Sequence, residues 1–281
     1  MRDMRLALLA IASLGLAELG CSSSNTTSSQ PDSAVAPVAD APRAAPDAAI
    51  GGPTAYRITS LTIVDPKLWP QAGADCFELS DYVNAAVGSQ VNGGAIDALI
   101  VFEPLNTTSG MSTLAELIFG DCDDTHLNCS ASAGAIQSSL TATSMGSGTC
   151  LDVVPGTLTH DSPPTIDKPT GPCFGATGDS ATLDLAGLRL DLLQARIGAK
   201  WSAEVVPVTL TSGLLYGFIT KAQAASVTVP GLGVTLDHLL RGGGSCADGT
   251  GSDTDTGPHS ESGWYLYMTF SASKVSFVDN R

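Results

Sequence analysis

Bases are scarce in this chain. Its 281 residues hold 13 Lys and Arg against 28 Asp and Glu, a formal charge of 13 − 28 = −15. A nucleic-acid binder meets phosphates with clustered cations, so this balance excludes that class. Aromatic residues are 5% of the chain, which leaves few platforms for stacked bases or sugar rings. Histidine is rarer still, with His126, His160, His238 and His259 alone. There is no His-Glu-x-x-His, no Cys-x-x-Cys and no Gly-x-Ser-x-Gly, so the zincin, zinc-thiolate and nucleophile-elbow patterns are all missing. Gly242-Gly243-Gly244 lacks the Lys-Ser/Thr of a phosphate loop. No apolar run reaches the roughly 20 residues that cross a bilayer as a helix. What the chain does have is 43% hydrophobic residues, enough for a sizeable core.

The start of the chain reads as an address. Arg2 and Arg5 precede an apolar run from Leu6 to Ala17, then Leu19, Gly20 and Cys21, which predicts a secretory signal peptide over residues 1–20. The Leu-Gly-Cys ending resembles the lipobox of bacterial lipoproteins, with Glu18 where that family usually has Leu, Val or Ile. The resemblance implies an acylated Cys21 as the mature N-terminus. It also implies an outer-membrane anchor, since Ser22 and not Asp follows the cysteine. Several acyl chains anchor firmly where one alone is marginal. Residues 21–53 continue as a Ser/Thr/Ala/Pro-rich stretch without apolar periodicity, expected to be a disordered tether.

Residues 54–281 are expected to form one β-rich domain. Ile58, Leu61 and Ile63 alternate before Pro66, and Ile96 to Phe102 is a nearly continuous apolar run. Between them Leu79, Val83, Ala86, Val87 and Val91 recur at helical spacing and Asn92-Gly93-Gly94 ends the pattern, predicting one amphipathic helix near the start of the domain. Leu114 to Phe119 fits a strand or a helix. From Thr182 onward the period is two, culminating in Trp264, Leu266, Met268 and Phe270 on one face with Tyr265 and Tyr267 on the other. The expected class is mainly β with a few helices (α+β), an antiparallel sheet or sandwich. The Gly263–Ala272 segment and Asp81-Tyr-Val-Asn84 are similar to disulfide-containing bacterial envelope lipoproteins that carry no assigned activity. That resemblance implies a compartment, not a chemistry.

Setting Cys21 aside leaves Cys76, Cys122, Cys129, Cys150, Cys173 and Cys246, an even set that in an exported chain reads as disulfides. Fifteen connectivities are open. The favoured one joins Cys122 to Cys129, Cys150 to Cys173 and Cys76 to Cys246.

Charge is unevenly spread. Leu68 to Asp167 contains no base, and Asp121, Asp123 and Asp124 crowd around Cys122. A second base-free stretch holds Asp248, Asp253 and Asp255 in a Gly-rich string that offers hard oxygen ligands. It lacks the bidentate Glu of an EF-hand, so weak structural calcium is the most it predicts, and no other cofactor is expected.

Gly178-Asp179-Ser180 resembles the block of a serine esterase family, but it falls late in the chain and no Asp-x-x-His follows at that family's spacing. The sequence therefore favours a membrane-tethered, non-catalytic binding or surface-structural module with a protein, glycan or lipid ligand. The alternative is a secreted hydrolase whose site is assembled from residues distant in sequence, around Ser180 or a carboxylate pair.

Overall fold

The computed structural model describes residues 51–72, 75–159, 163–185, 187–203, 206–230, 232–240 and 253–281. In chain order the elements are β1 (Thr54–Asp65), the short pair β2 (Gln71–Ala72) and β3 (Asp75–Cys76), helix α1 (Ser80–Asn92), β4 (Ala98–Glu103), β5 (Ser112–Phe119), the hairpin strands β6 (Asp121–Cys122) and β7 (Asn128–Ala131), β8 (Ile136–Met145), β9 (Cys173–Thr177), β10 (Ser180–Leu185), β11 (Leu188–Trp201), β12 (Thr209–Thr220), helix α2 (Lys221–Ser226), a 3-10 turn (Leu236–His238), β13 (Asp255–Thr256) and β14 (Ser262–Asp279).

Eight strands in the order β1-β4-β5-β8-β9-β11-β12-β14 pair antiparallel with their neighbours, and β14 pairs back onto β1. The sheet is therefore antiparallel, as the alternation predicts, but it closes on itself instead of stacking as a sandwich. Each barrel strand neighbours the next in sequence, the up-and-down arrangement. β10 extends β9's side of β11, and the β6–β7 hairpin attaches in parallel to the far end of β14.

Alternation fills the inside. Directly opposed residues share a face, so Trp264 meets Ile219, Met268 meets both Leu215 and Ile63, and Phe270 meets Leu61. At one end Tyr56, Phe102, Phe174 and Trp201 interlock, with ring centroids 4.8 Å apart for Phe174 and Trp201 and 5.0 Å for Phe102 and Phe174. Eight strands enclose a space that side chains can just fill, and these do so: Phe102, Phe174, Ile219, Leu192 and Met268 are all buried. The interior is a core. On β8 the outward residues Gln137, Ser139 and Thr141 are exposed and polar. On this strand the polar face is the outer one.

Two patches of the outer wall are apolar and covered. Under the β6–β7 hairpin lie Ala55, Leu99, Val101 and Ile118, with Val275 and Phe277 beside them. Cys122–Cys129 closes this hairpin. Arg57 reaches out of β1 to bond Asp97 Oδ1 at 2.6 Å and the Val91 carbonyl of α1, and Asp97 Oδ2 accepts the Cys122 amide at 3.1 Å. One buried ion pair thus ties barrel, helix and hairpin together. The second patch lies under the segment between β8 and β9. Among the described residues no helix is long and apolar enough to cross a membrane.

Candidate functional site: a cleft between strap and barrel wall

Residues 146–159 and 163–172, in the link from β8 to β9, cross the outside of the barrel as a strap. Its sequence is rich in Pro and Gly, with apolar residues at Leu151, Val153, Val154, Leu158 and Ile166. These pack on Leu214, Tyr216, Phe218, Tyr265 and Tyr267 of the outer wall. A strand with large apolar residues on both faces needs such a cover, and β14 has one on each side.

Backbone space lets the strap lie close. Gly175 of β9 and Gly198 of β11 are register partners, and a Cβ on Gly198 would come within 2.9 Å of the Leu151 Cβ. A Cβ on Gly175 would strike the Cys150 carbonyl. Cys150–Cys173 bonds the strap to the start of β9, with Cα atoms 6.0 Å apart. Further along, the Val154 amide donates to Tyr267 Oη at 3.0 Å, and Thr157 Oγ1 lies 2.5 Å from the same oxygen. The Thr159 hydroxyl donates to buried Asp65 at 2.6 Å. Burial pushes the Asp65 carboxyl above the usual range, against the hydrogen bonds from Thr159 that lower it.

Between the strap and β11, β12 and β14 a cleft of about 390 Å³ stays open, lined by Leu151, Asp152, Gln194, Arg196, Tyr216 and Tyr265 among others. The size falls at the small-ligand end of binding clefts. A register shift between Leu193 and Arg196 positions its polar groups, the kind of irregularity that re-aims side chains. Gln194 sits in the left-handed region at φ 48° and is exposed, its backbone N–H donating to the Asp179 carbonyl at 2.7 Å. Arg196 is the cross-strand partner of Tyr216. Tyr216 packs 5.0 Å from Tyr267 and 6.4 Å from Tyr265.

Burial raises the Tyr216 and Tyr265 phenols above their ordinary value, while the nearby Arg196 charge pulls both back. Both therefore remain neutral hydroxyl donors at physiological pH. Asp152 at the rim pairs with Lys168 at 2.5 Å. Among the described residues Arg196 makes no ion pair and donates no side-chain hydrogen bond.

The residues singled out by sequence lie elsewhere, apart from Cys150, which lines the cleft. Cys21, His160, Cys246 and Asp248 are outside the described residues, and so is the Cys76–Cys246 pairing. Asp123 closes the β6–β7 turn, accepting Thr125 Oγ1 at 2.8 Å and Asn128 Nδ2 at 2.7 Å, and these bonds hold its carboxyl well below the usual range. Asp121 and Asp124 are exposed on the same hairpin. Asp255 Oδ2 accepts the Tyr265 amide at 3.1 Å at the edge of β14, and Asp253 lies two residues before it. Among the described residues no three His, Cys, Asp or Glu side chains gather at metal-binding distance. Ser180 opens β10, exposed, and among the described residues no side chain hydrogen-bonds its hydroxyl.

Fold and site together define a strapped up-and-down β-barrel with a filled interior and a ligand-sized cleft on its wall. No protein-family model, curated protein or solved structure matches the chain.

Proposed function

We propose that the protein is a lipid-anchored envelope module that binds a small ligand in the wall cleft and performs no chemistry on it. The observation that carries this reading is the cleft's composition. A guanidinium that no described residue pairs, two phenols kept neutral and an exposed side-chain amide are groups for recognition. They stand on rigid strands and under a strap fixed by a disulfide, so little ordering is left to offset when a ligand enters. Export is supported by the basic start, the apolar core and the Leu-Gly-Cys ending at Cys21, and by two disulfides, which persist in oxidising compartments. In this reading Cys21 is acylated, residues 22–53 span the distance from the outer membrane, and any calcium at Asp253 and Asp255 is weak and structural.

Two measurements test it. Mass spectrometry of the membrane fraction should find an acylated Cys21, and Cys21→Ser should release the protein into the soluble fraction. The full chain should also be screened by amide NMR against monosaccharides, organic acids and amino acids. Saturable shifts around Arg196, Tyr216 and Tyr265 are expected. Binding that leaves those amides unmoved, or no binding across the panel, would overturn the cleft as the site.

A further inference from the structure

The cleft is floored by a base-rich strand of an acidic protein, and its own lining carries one base, Arg196, and one acid, Asp152. The chain as a whole is at −15, yet β11 carries Arg189, Arg196 and Lys200, three of the 13 bases, against one acid, Asp191. Arg196 and Lys200 are spaced along the strand that floors the cleft, and Lys200 is exposed. The carboxylate on the rim, Asp152, is matched by Lys168. Arg196 therefore meets the cleft with its fork of donors unclaimed by any described residue, on a wall where it is half-buried.

We infer that the cleft takes a small organic carboxylate, held at its charged end by the Arg196 guanidinium and along its body by the Tyr216 and Tyr265 hydroxyls and the Gln194 amide. This deepens the binding reading above and rests on it. The planar guanidinium matches a carboxylate through two parallel hydrogen bonds, which a lysine cannot reproduce. Partial burial beneath the strap reduces screening, so the charge acts over a ligand-sized distance in spite of the acidic surroundings. A volume of about 390 Å³ admits a body of one sugar or one aromatic ring. Two sources share this chemistry, a carboxylated sugar and an aromatic acid. The phenol hydroxyls suit the first and the tyrosine ring faces the second.

The experiment titrates the full chain in non-ionic detergent with sodium glucuronate, sodium benzoate and glucose, at constant chloride, by calorimetry. At least one carboxylate should saturate and bind ten-fold or more tighter than glucose. Arg196→Gln should weaken it ten-fold or more, as expected for losing a charged hydrogen-bond pair, with the melting temperature unchanged. Arg196→Lys should restore only part. Tyr265→Phe keeps the ring and removes the hydroxyl, so it weakens glucuronate several-fold and leaves benzoate alone. It serves also if Arg196→Gln fails to fold. Glucose binding as tightly as glucuronate, with loss in Tyr265→Phe, overturns the carboxylate and leaves the cleft standing as a neutral site. Carboxylate binding unchanged in Arg196→Gln overturns the assignment to this residue. Failure of both carboxylates to saturate overturns the inference, and the wider panel then decides separately whether the cleft binds anything.

Discussion

Gly175 of β9 and Gly198 of β11 stand opposite one another in register, and the strap lies directly on the bare backbone they expose, Cys150 over the first and Leu151 over the second. No side chain separates cover from wall at that point. The position of the cleft's roof therefore depends on two missing methyl groups.

Gly198→Val should lift the strap, because even a Cβ there meets the Leu151 Cβ at 2.9 Å and the Phe174 carbonyl at 2.8 Å. Overpacking of this kind costs about 1–3 kcal/mol, which for a domain of this size lowers Tm by roughly 2–4 °C per kcal/mol. Scanning calorimetry measures the drop, and proteolysis should cut the strap near Leu158 faster than in the parent. A variant with unchanged Tm and an uncut strap would show that the segment repacks without cost.

The two observed disulfides should contribute unequally. Cys150–Cys173 closes 23 positions and Cys122–Cys129 closes 7. The loop-entropy argument, which is model-dependent, gives about 3 kcal/mol for the longer loop and about 1 kcal/mol less for the shorter. Urea denaturation of the paired Cys→Ala variants should rank them in that order. The reverse ranking would mean that the hairpin, through its apolar patch, matters more than the strap.

Buried Asp65 should make stability fall with rising pH. Its carboxyl is raised in the folded protein by desolvation, so the native state holds its proton to higher pH than the unfolded chain does. The penalty is absent below the ordinary carboxylate range, near 3.9. It grows as pH climbs from there through the folded value. Asp65→Asn, which keeps an acceptor for Thr159, should therefore be at least as stable as the parent at pH 7 and lose its advantage near pH 3. Denaturation across pH 3–7 checks this, and a parent that gains more stability than the variant over that interval would contradict it.

Arg57→Ala should be among the most damaging single changes. Both partners of the pair are nearly sealed from solvent, at 5% and 6% side-chain exposure. Removing the cation leaves Asp97 buried and uncompensated, a loss of about 3–5 kcal/mol. Denaturant titration reads this directly, and a loss under about 1 kcal/mol would place the pair in contact with water.

How much of this was legible in the sequence varies by strand. β14 announces itself because Trp264, Leu266, Met268 and Phe270 alternate with Tyr265 and Tyr267, and both sets are buried. β8 passes unnoticed, since its buried face is Ser138, Leu140, Ala142 and Ser144 and its outer face is Gln, Ser and Thr. Small inward residues fit a narrow barrel but leave almost no hydrophobic period. Closure was hidden for another reason: Ala55 pairs with Val275 across most of the domain, and local pattern carries no trace of such a contact. The two nearer cysteine pairs were readable from their short spacing. The cleft was not. Arg196, Tyr216 and Tyr265 come from three strands, and each looks like an ordinary strand residue. The available signal was Tyr265 and Tyr267 themselves, whose large rings on the supposed outer face demanded a cover.

β14 also governs the order of events in assembly. It follows every other strand of the barrel in the chain and pairs with β12 and β1 at once, while its last residues hold β7. Until it is in place, β1 and β12 are open edges that invite pairing with other chains. Long-range pairings of this kind form slowly. A nascent chain can thus zip its hairpins one after another, yet the ring stays open until its latest-made strand arrives, and any interruption of synthesis within Ser262–Asp279 releases a molecule with two adhesive edges.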